Sequence, residues 1–315
     1  MGGCRSERLH PHLLVKVLVA GASGFVGRRL TSALAEGGHD VVAMTRHPDD
    51  YSGPGKAVFG DVDDEASLTR AMEGCEAAYY LVHSLDSADF EAKDAQAAGS
   101  FGRAARSTGV SQIIYLGGLG DDRDDLSAHL RSRREVEGLL ADAQVPVTTL
   151  RAGIIVGDEG ISWELTRQLV EHLPAMITPK WVQTKTQPIA IDDVVRYLVG
   201  VLGLEAARGE AFDIGGPEVL RYATMMKRVA DVQGRPLVLV PVPLLTPSLS
   251  SHWLSFVTDV DGQTARSLID SMGNEVVVRD DSIRRLVPFE PMGYDDAVRT
   301  ALADRKERLK QEEQA

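Results

Sequence analysis

Residues 15–27 read VKVLVAGASGFVG, an apolar β-branched run that meets three glycines spaced three apart and then a helix-forming stretch. Few folds accommodate that order. Gly21 permits a tight strand-to-helix turn, and Gly24 removes a side chain where a diphosphate must approach backbone N–H groups. Gly27 lets the helix pack closely on the sheet. The phosphates then lie at the positive N-terminus of the helix. Ser23, Phe25 and Val26 belong to the same turn and complete its candidate cofactor contacts. A bare tight turn is the competing explanation. What separates the two is context: a strand before, a helix after, and a full βαβ unit within about thirty residues.

The rest of the first half continues that alternation. Strands are expected at 15–20, 41–44, 57–59, 77–82, 112–116 and 147–150, with helices at 24–36, 65–72, 90–107 and 132–143 between them. Strands alternating with helices imply an α/β chain built on a doubly wound parallel sheet, a Rossmann fold. Beyond Arg151 the alternation loosens. Helices are expected at 162–172, 191–202 and 222–232, and a strand at 211–214. A Pro-rich stretch follows at 236–247, then helical pieces to about 271 and a charged helix at 295–311. The expected division is an NAD(P)-binding Rossmann domain over 14–155, then the remaining Rossmann elements and a small C-terminal substrate lobe over 156–302. A charged helix end occupies 303–315. The lobe would be assembled from pieces of 155–190 and 218–290.

The second strand bears on which dinucleotide is held. An NAD site places an acid near its tip to hold the ribose 2′-hydroxyl. Here the strand VVAM runs into Thr45-Arg46-His47, and Asp49 and Asp50 lie beyond Pro48. Arg46 can clamp a 2′-phosphate and stack on adenine, which favours NADP(H) over NAD; a solvated loop arginine is the alternative. The formal net charge of −12 excludes nucleic acid as the main partner.

The turn AGASGFVG, the step Gly60-Asp61-Val62 and the strand AYYLVHS resemble the short-chain dehydrogenase/reductase superfamily. The phrases IIVG (154–157), PIAIDDV (188–194) and FDIGGP (212–217) resemble its extended and atypical branches, most closely the NmrA-like members. The resemblance covers about residues 14–302. It implies that Asp61 accepts from the adenine amino group with Val62 beside the ring. It also implies that Val82 and His83 lie along the adenosine ribose toward the nicotinamide. A turn or cap role before the helix at Glu65 competes for Asp61.

The chain departs from the superfamily's catalytic set of Ser, Tyr and Lys. The fifth strand ends Leu116-Gly117-Gly118, so glycine stands at the Ser position. The register that suits the following helix puts His129 for Tyr and Arg133 for Lys. Arg133 can hold a ribose or a phosphate, and His129 can donate a proton near neutral pH. Against this, Arg does not match the geometry of Lys, and His129 is equally well a residue at the start of a helix with no proton to transfer. Tyr79, Tyr80 and Tyr115 lie inside strands and are not assigned the acid role. Two functions follow. One is an NADP(H)-dependent oxidoreductase acting on a small apolar carbonyl or alkene. The other is a redox sensor or assembly factor that binds NADP(H) without turning it over.

Other chemistries find no motif. There is no H-x-x-x-H or C-x-x-C spacing for a metal, no G-x-S-x-G elbow and no P-loop. Asp192 and Asp193 are expected to cap a helix. Trp163, Trp181 and Trp253 are expected to pack the lobe or line its pocket. Two cysteines, Cys4 and Cys75, make no disulfide framework, so a reducing cytoplasm is the expected compartment. Gly2, Cys4 and Ser6 match a short lipidation pattern that competes with an ordinary chain start. No apolar run long enough to span a membrane is expected, and the partner is a small molecule, with the chain a monomer or homodimer.

Overall fold

The computed structural model describes residues 14–84, 87, 89–241, 259 and 261–314. Its first half runs β1 (Lys16–Ala20), α1 (Phe25–Glu36), β2 (Asp40–Thr45), β3 (Lys56–Phe59), α2 (Glu65–Met72), β4 (Ala77–Tyr80), α3 (Phe90–Ser107), β5 (Gln112–Gly118), α4 (Ala128–Ala141) and β6 (Val147–Ala152). Next come β7 (Ile155–Val156), α5 (Ile161–His172), β8 (Ala175–Thr178), β9 (Lys185–Thr186), β10 (Ile189–Ala190), α6 (Ile191–Gly200) and β11 (Ala211–Ile214). The chain continues through β12 (Leu220–Arg221), α7 (Tyr222–Gln233), β13 (Val238–Pro241), α8 (Gly262–Ser271), α9 (Ile283–Leu286) and α10 (Tyr294–Gln314).

Seven strands form one parallel sheet in the order β11-β6-β5-β4-β1-β2-β3. Alternate residues of each strand face opposite layers. Val17, Val19, Tyr79 and Ile114 pack with Leu30 and Leu34 of α1 and with Val194 and Leu198 of α6. Leu18, Ala20, Tyr80 and Tyr115 pack on the other side with Leu68, Phe101, Val136 and Leu140 of α2, α3 and α4. The chain leaves β1 toward β2 and β3, then returns to place β4 on the other flank of β1, with Ala20 level with both Met44 and Tyr80. Strand order reverses there. In such sheets the crevice at the carboxyl ends of the strands flanking the reversal is where ligands bind.

A separate apolar cluster joins α5, α7, α8 and the first turns of α10 through Trp163, Leu169, Met225, Val229, Leu268 and Val298. Short strand pairs β7–β10, β8–β13 and β9–β12 tie the intervening loops together. The last helix is continuous across residue 303. Its Arg308 reaches back to the buried Asp158, with Nε 2.7 Å from Oδ2.

Several expected boundaries shift. The fourth strand ends at Tyr80, which frees 81–84 as a loop over the crevice, and α4 starts at Ala128 because the Ser127 hydroxyl caps the Leu130 N–H. Asp192 and Asp193 do not cap α6. They sit within its first turn behind Ala190, and the buried Asp193 instead accepts the Met292 N–H at 2.7 Å. Trp163 is buried in the core of the lobe and Trp181 packs against it, meeting Tyr222 edge-on at 5.8 Å. Burial pushes the Cys75 thiol up to about 11. Gly2, Cys4, Ser6, Trp253 and the second half of the Pro-rich stretch, 242–247, lie outside the described residues. Among the described residues no helix is long and apolar enough to cross a membrane.

Candidate functional site

The glycine turn is built as its spacing requires. Gly21 has φ +85°, and a Cβ there would lie 3.2 Å from the Leu81 carbonyl oxygen. At Gly27 a Cβ would fall 2.0 Å from the Gly21 carbonyl oxygen and 2.9 Å from the Ala22 Cα. No side chain fits that contact. Gly24 stands at the N-cap of α1, its N–H bonded to the Gly21 carbonyl at 3.0 Å. No side chain caps this helix and no acid occupies its first turn. The N–H groups of Phe25, Val26 and Gly27 therefore lack intrahelical partners.

Those amides open onto a cleft at the strand-order reversal. Its outer part, about 490 Å³, is bounded by Gly21, Ser23 and Gly24, by Arg46 after β2, by Asp61 and Val62 after β3, and by Val82 and His83 after β4. Arg46 is exposed at this wall, and Asp49 and Asp50 are turned into a short helical turn outside it. The Asp61 carboxylate accepts the Asp63 N–H at 3.0 Å, whereas α2 is capped by Asp64 through the Ala66 N–H. Asp61 thus shapes the turn while bordering the cleft, and the capping role passes to its neighbour.

The inner part, about 240 Å³, shares Gly21, Gly24, Val82 and His83 with the outer one. It continues past Phe25, Val26 and Gly27 to Gly117, Gly118, His129, Arg133, Ser162 and Leu268. Every site residue named from the sequence borders one part or the other. A further recess of about 70 Å³ lies behind His129, among Leu130, Tyr222, Leu268, Met272 and Val276.

His129 and Arg133 are one turn apart on α4. Gly118 explains their position: a Cβ there would come within 3.1 Å of Leu130 and 3.2 Å of the Arg133 Cγ, so the missing side chain leaves room for both. Arg133 is buried and ion-paired with Asp94 of α3, which also accepts the Ser132 hydroxyl at 3.3 Å. The Arg133 Nε is buried with no acceptor among the described residues. Asp94 escaped the sequence reading. Its signal is an acid on the otherwise apolar stripe of Phe90, Ala97, Ala98 and Phe101, all buried on one side of α3.

His129 lies where an acid was expected, but in surroundings that disfavour its charged form. Burial, then the charges of Arg133 and His83, lower its pKa to about 3. It stands in the cleft wall, and its buried Nδ1 has no hydrogen-bond partner among the described residues. The strand tyrosines stay out of the chemistry. Tyr79 donates to the Leu198 carbonyl at 2.9 Å and Tyr115 to the Arg133 carbonyl at 3.2 Å. Burial raises the pKa of all three, that of Tyr115 to about 12.

These features suit a pyridine dinucleotide. Main-chain amides at a helix N-terminus can receive a diphosphate, an arginine borders the outer part, and a largely apolar inner wall can receive a flat ring. A family model described as NAD(P)H-binding matches residues 21–182. An uncharacterised protein of Mycobacterium tuberculosis is 27% identical over 232 residues, which are 73% of this chain and 25% of that protein. The chain thus spans a quarter of that relative's length. The (4-alkanoyl-5-oxo-2,5-dihydrofuran-3-yl)methyl phosphate reductase of Streptomyces griseus is 27% identical over 233 residues, 70% of this chain and 75% of the reductase. Among solved structures, the NADPH-dependent quinone oxidoreductase of Escherichia coli complexed with NADPH superposes with a TM-score of 0.74 at 20% identity. That match covers 90% of this chain and 98% of the other, and it shows a shared fold.

Proposed function

Because the chain belongs to the NAD(P)H-binding family and has the fold of extended short-chain dehydrogenase/reductases, we propose that it is an NADP(H)-dependent oxidoreductase acting on a small apolar carbonyl or alkene. The observation that carries this reading is the continuity of the cleft, which runs from the bare amides of α1 to an apolar recess beyond His129. When bound, the coenzyme supplies a hydride at its nicotinamide ring. The chain's own residues do the rest. The amides of Phe25, Val26 and Gly27 hold the diphosphate with the help of the helix dipole. Ser23 borders the same phosphates, Arg46 engages the 2′-phosphate, and Asp61 with Val62 receives the adenine. Val82 and His83 flank the ribose, and Arg133 supplies fixed positive charge near the inner end. The neutral His129 hydrogen-bonds the substrate, and the lobe built on α5, α7 and α8 excludes water. The Streptomyces relative, by name a reductase, and the NADPH in the Escherichia coli neighbour support the reaction type and the coenzyme.

A second reading, a sensor or assembly factor that binds NADP(H) without turnover, draws on a specific observation: Arg133 is ion-paired with the buried Asp94, and burial lowers the His129 pKa to about 3. Following NADPH consumption over a panel of carbonyl compounds separates the two. Turnover that His129→Ala removes while NADPH binding survives defeats the sensor. Tight NADPH binding with no compound reduced defeats the oxidoreductase.

A further inference from the structure

The loop Gly157-Asp158-Glu159-Gly160 follows β7 and leads into α5 beside the glycine turn. Gly160 and the next two residues, Ile161 and Ser162, border the inner part of the cleft. The Phe25 ring lies against both glycines of the loop: a Cβ at Gly157 would fall 3.0 Å from its Cζ, and one at Gly160 2.9 Å. Phe25 is also the first residue of α1, so its N–H is one of the three amides open to a diphosphate. A shift of the loop moves this ring, and with it the amide end of the helix.

Three arginines fasten the loop. Arg29 donates to the Phe25 carbonyl at 3.0 Å and to the Asp158 carbonyl at 3.1 Å, with its guanidinium carbon 4.8 Å from the Phe25 ring centroid. Arg28 pairs with Glu159. Both belong to α1. The third comes from the last helix: Arg308 grips the Asp158 carboxylate twice, from Nε to Oδ2 at 2.7 Å and from Nη2 to Oδ1 at 3.2 Å. Asp158 is buried, and no other hydrogen bond reaches its carboxylate among the described residues. The loop itself is strained, since Glu159 has φ +71°, a conformation that residues other than glycine rarely adopt. A backbone of this kind persists only where the surroundings hold it.

The end of α10 depends on the same contact. Up to Ala301 the helix is seated by the buried Tyr294, Ala297, Val298 and Ala301. From 303 to 314 no residue is buried. Among the described residues, the hydrogen bonds and ion pairs that leave this stretch run from Arg308 to Asp158.

We propose that Asp158 and Arg308 are positioning residues for the coenzyme. The end of α10 holds the loop 157–160 on Phe25, and thereby sets the amides that receive the diphosphate. This rests on the coenzyme part of the function proposed above. Coupling of this kind is reciprocal: if the docked helix end favours the coenzyme, bound coenzyme favours the docked helix end by the same factor.

Two measurements on the full chain test it. In the first, NADPH is titrated by calorimetry into the parent, Arg308→Ala, Arg308→Lys and Arg299→Ala. Arg299 lies on the same helix and pairs only within it, with Asp296 at 2.6 Å. Arg308→Ala weakens NADPH at least ~5-fold, and Arg308→Lys recovers part of the loss, since it keeps the charge without the two-pronged grip. Arg299→Ala binds as the parent does. In the second, hydrogen exchange of the amides in 303–314 is followed with and without saturating NADPH. The coenzyme slows it in the parent by a factor comparable to the affinity loss, and Arg308→Ala abolishes the slowing. Undiminished affinity in Arg308→Ala, or an equal loss in Arg299→Ala, overturns the inference and leaves the coenzyme reading standing. So does exchange in 303–314 of the parent that NADPH leaves unchanged, and this holds even where a variant folds poorly. A parent that binds no NADPH defeats the coenzyme reading and this inference with it.

Discussion

Asp94 of α3 and Arg133 of α4 form an ion pair whose side chains are only 2% and 7% exposed, at the inner wall of the cleft. Asp94 sits among the buried Phe90, Ala97 and Ala98 of α3, and Gly118 makes room for the Arg133 stem. The pair places a charge-balanced polar contact at the cleft wall, and it holds α3 and α4 in register through Ser132 as well. A buried pair of this kind adds little to stability as a unit, but breaking it from one side is costly.

Asp94→Ala therefore strands a buried guanidinium and should destabilise the chain by ~3–5 kcal/mol, whereas the double variant Asp94→Ala with Arg133→Met should recover much of the loss. Urea unfolding of the two variants and the parent measures this. Equal stability of the single and double variants would show that no coupling exists.

At the glycine turn, Gly27→Ala places a methyl carbon 2.0 Å from a carbonyl oxygen, so the strand–helix junction must move. Overpacking of this sort costs ~1–3 kcal/mol, and NADPH affinity should fall at least tenfold by calorimetry because the amides move with the backbone. Gly138→Ala is the control. It lies within α4 with nothing within 4 Å of the new carbon, and should stabilise the helix by ~0.5–1 kcal/mol. Full NADPH affinity in Gly27→Ala would detach the turn from the coenzyme.

The proposed preference for NADP(H) assigns the 2′-phosphate to Arg46. NADPH should bind more tightly than NADH, and Arg46→Ala should weaken NADPH by ~1.5–3 kcal/mol while leaving NADH nearly unchanged. Equal affinities in the parent protein would overturn the assignment.

His129 makes stability depend on acid. Its pKa is near 6.5 when unfolded and about 3 in the folded chain, so the unfolded state binds more protons between those values. The stabilisation is complete above the unfolded value and is lost as the pH falls through the window, at up to ~1.4 kcal/mol per pH unit. His129→Leu should flatten that stretch of the stability curve relative to the parent in unfolding experiments at stepped pH. Parallel curves would mean that the imidazole takes its proton as readily folded as unfolded.

Much of this protein is written locally. The Gly21-Gly24-Gly27 turn demands its conformation through covalent geometry: a positive φ at Gly21 and a contact at Gly27 that admits no side chain. Alternating apolar residues assign each strand two buried faces, so the parallel sheet and the order of elements in the first half follow from periodicity. Arg46, Asp61, Val82 and His83 were within reach because each comes at or just after the end of a strand, and the carboxyl ends of parallel strands share one edge.

Tertiary structure alone decided the rest. The lowered pKa of His129 depends on how deeply its ring is buried and on His83 approaching from the loop after β4, neither of which is encoded in the neighbouring residues. Asp94 lies 39 residues before Arg133 in the chain, and only the packing of α3 on α4 makes them partners. The recess behind His129 likewise draws Leu130, Tyr222 and Leu268 from three distant helices. Short-range pattern dictates which segments become strands and helices, because backbone sterics and burial period act over a few residues. Protonation, ion pairing and the shape of a pocket are set by groups that meet only after the chain has folded.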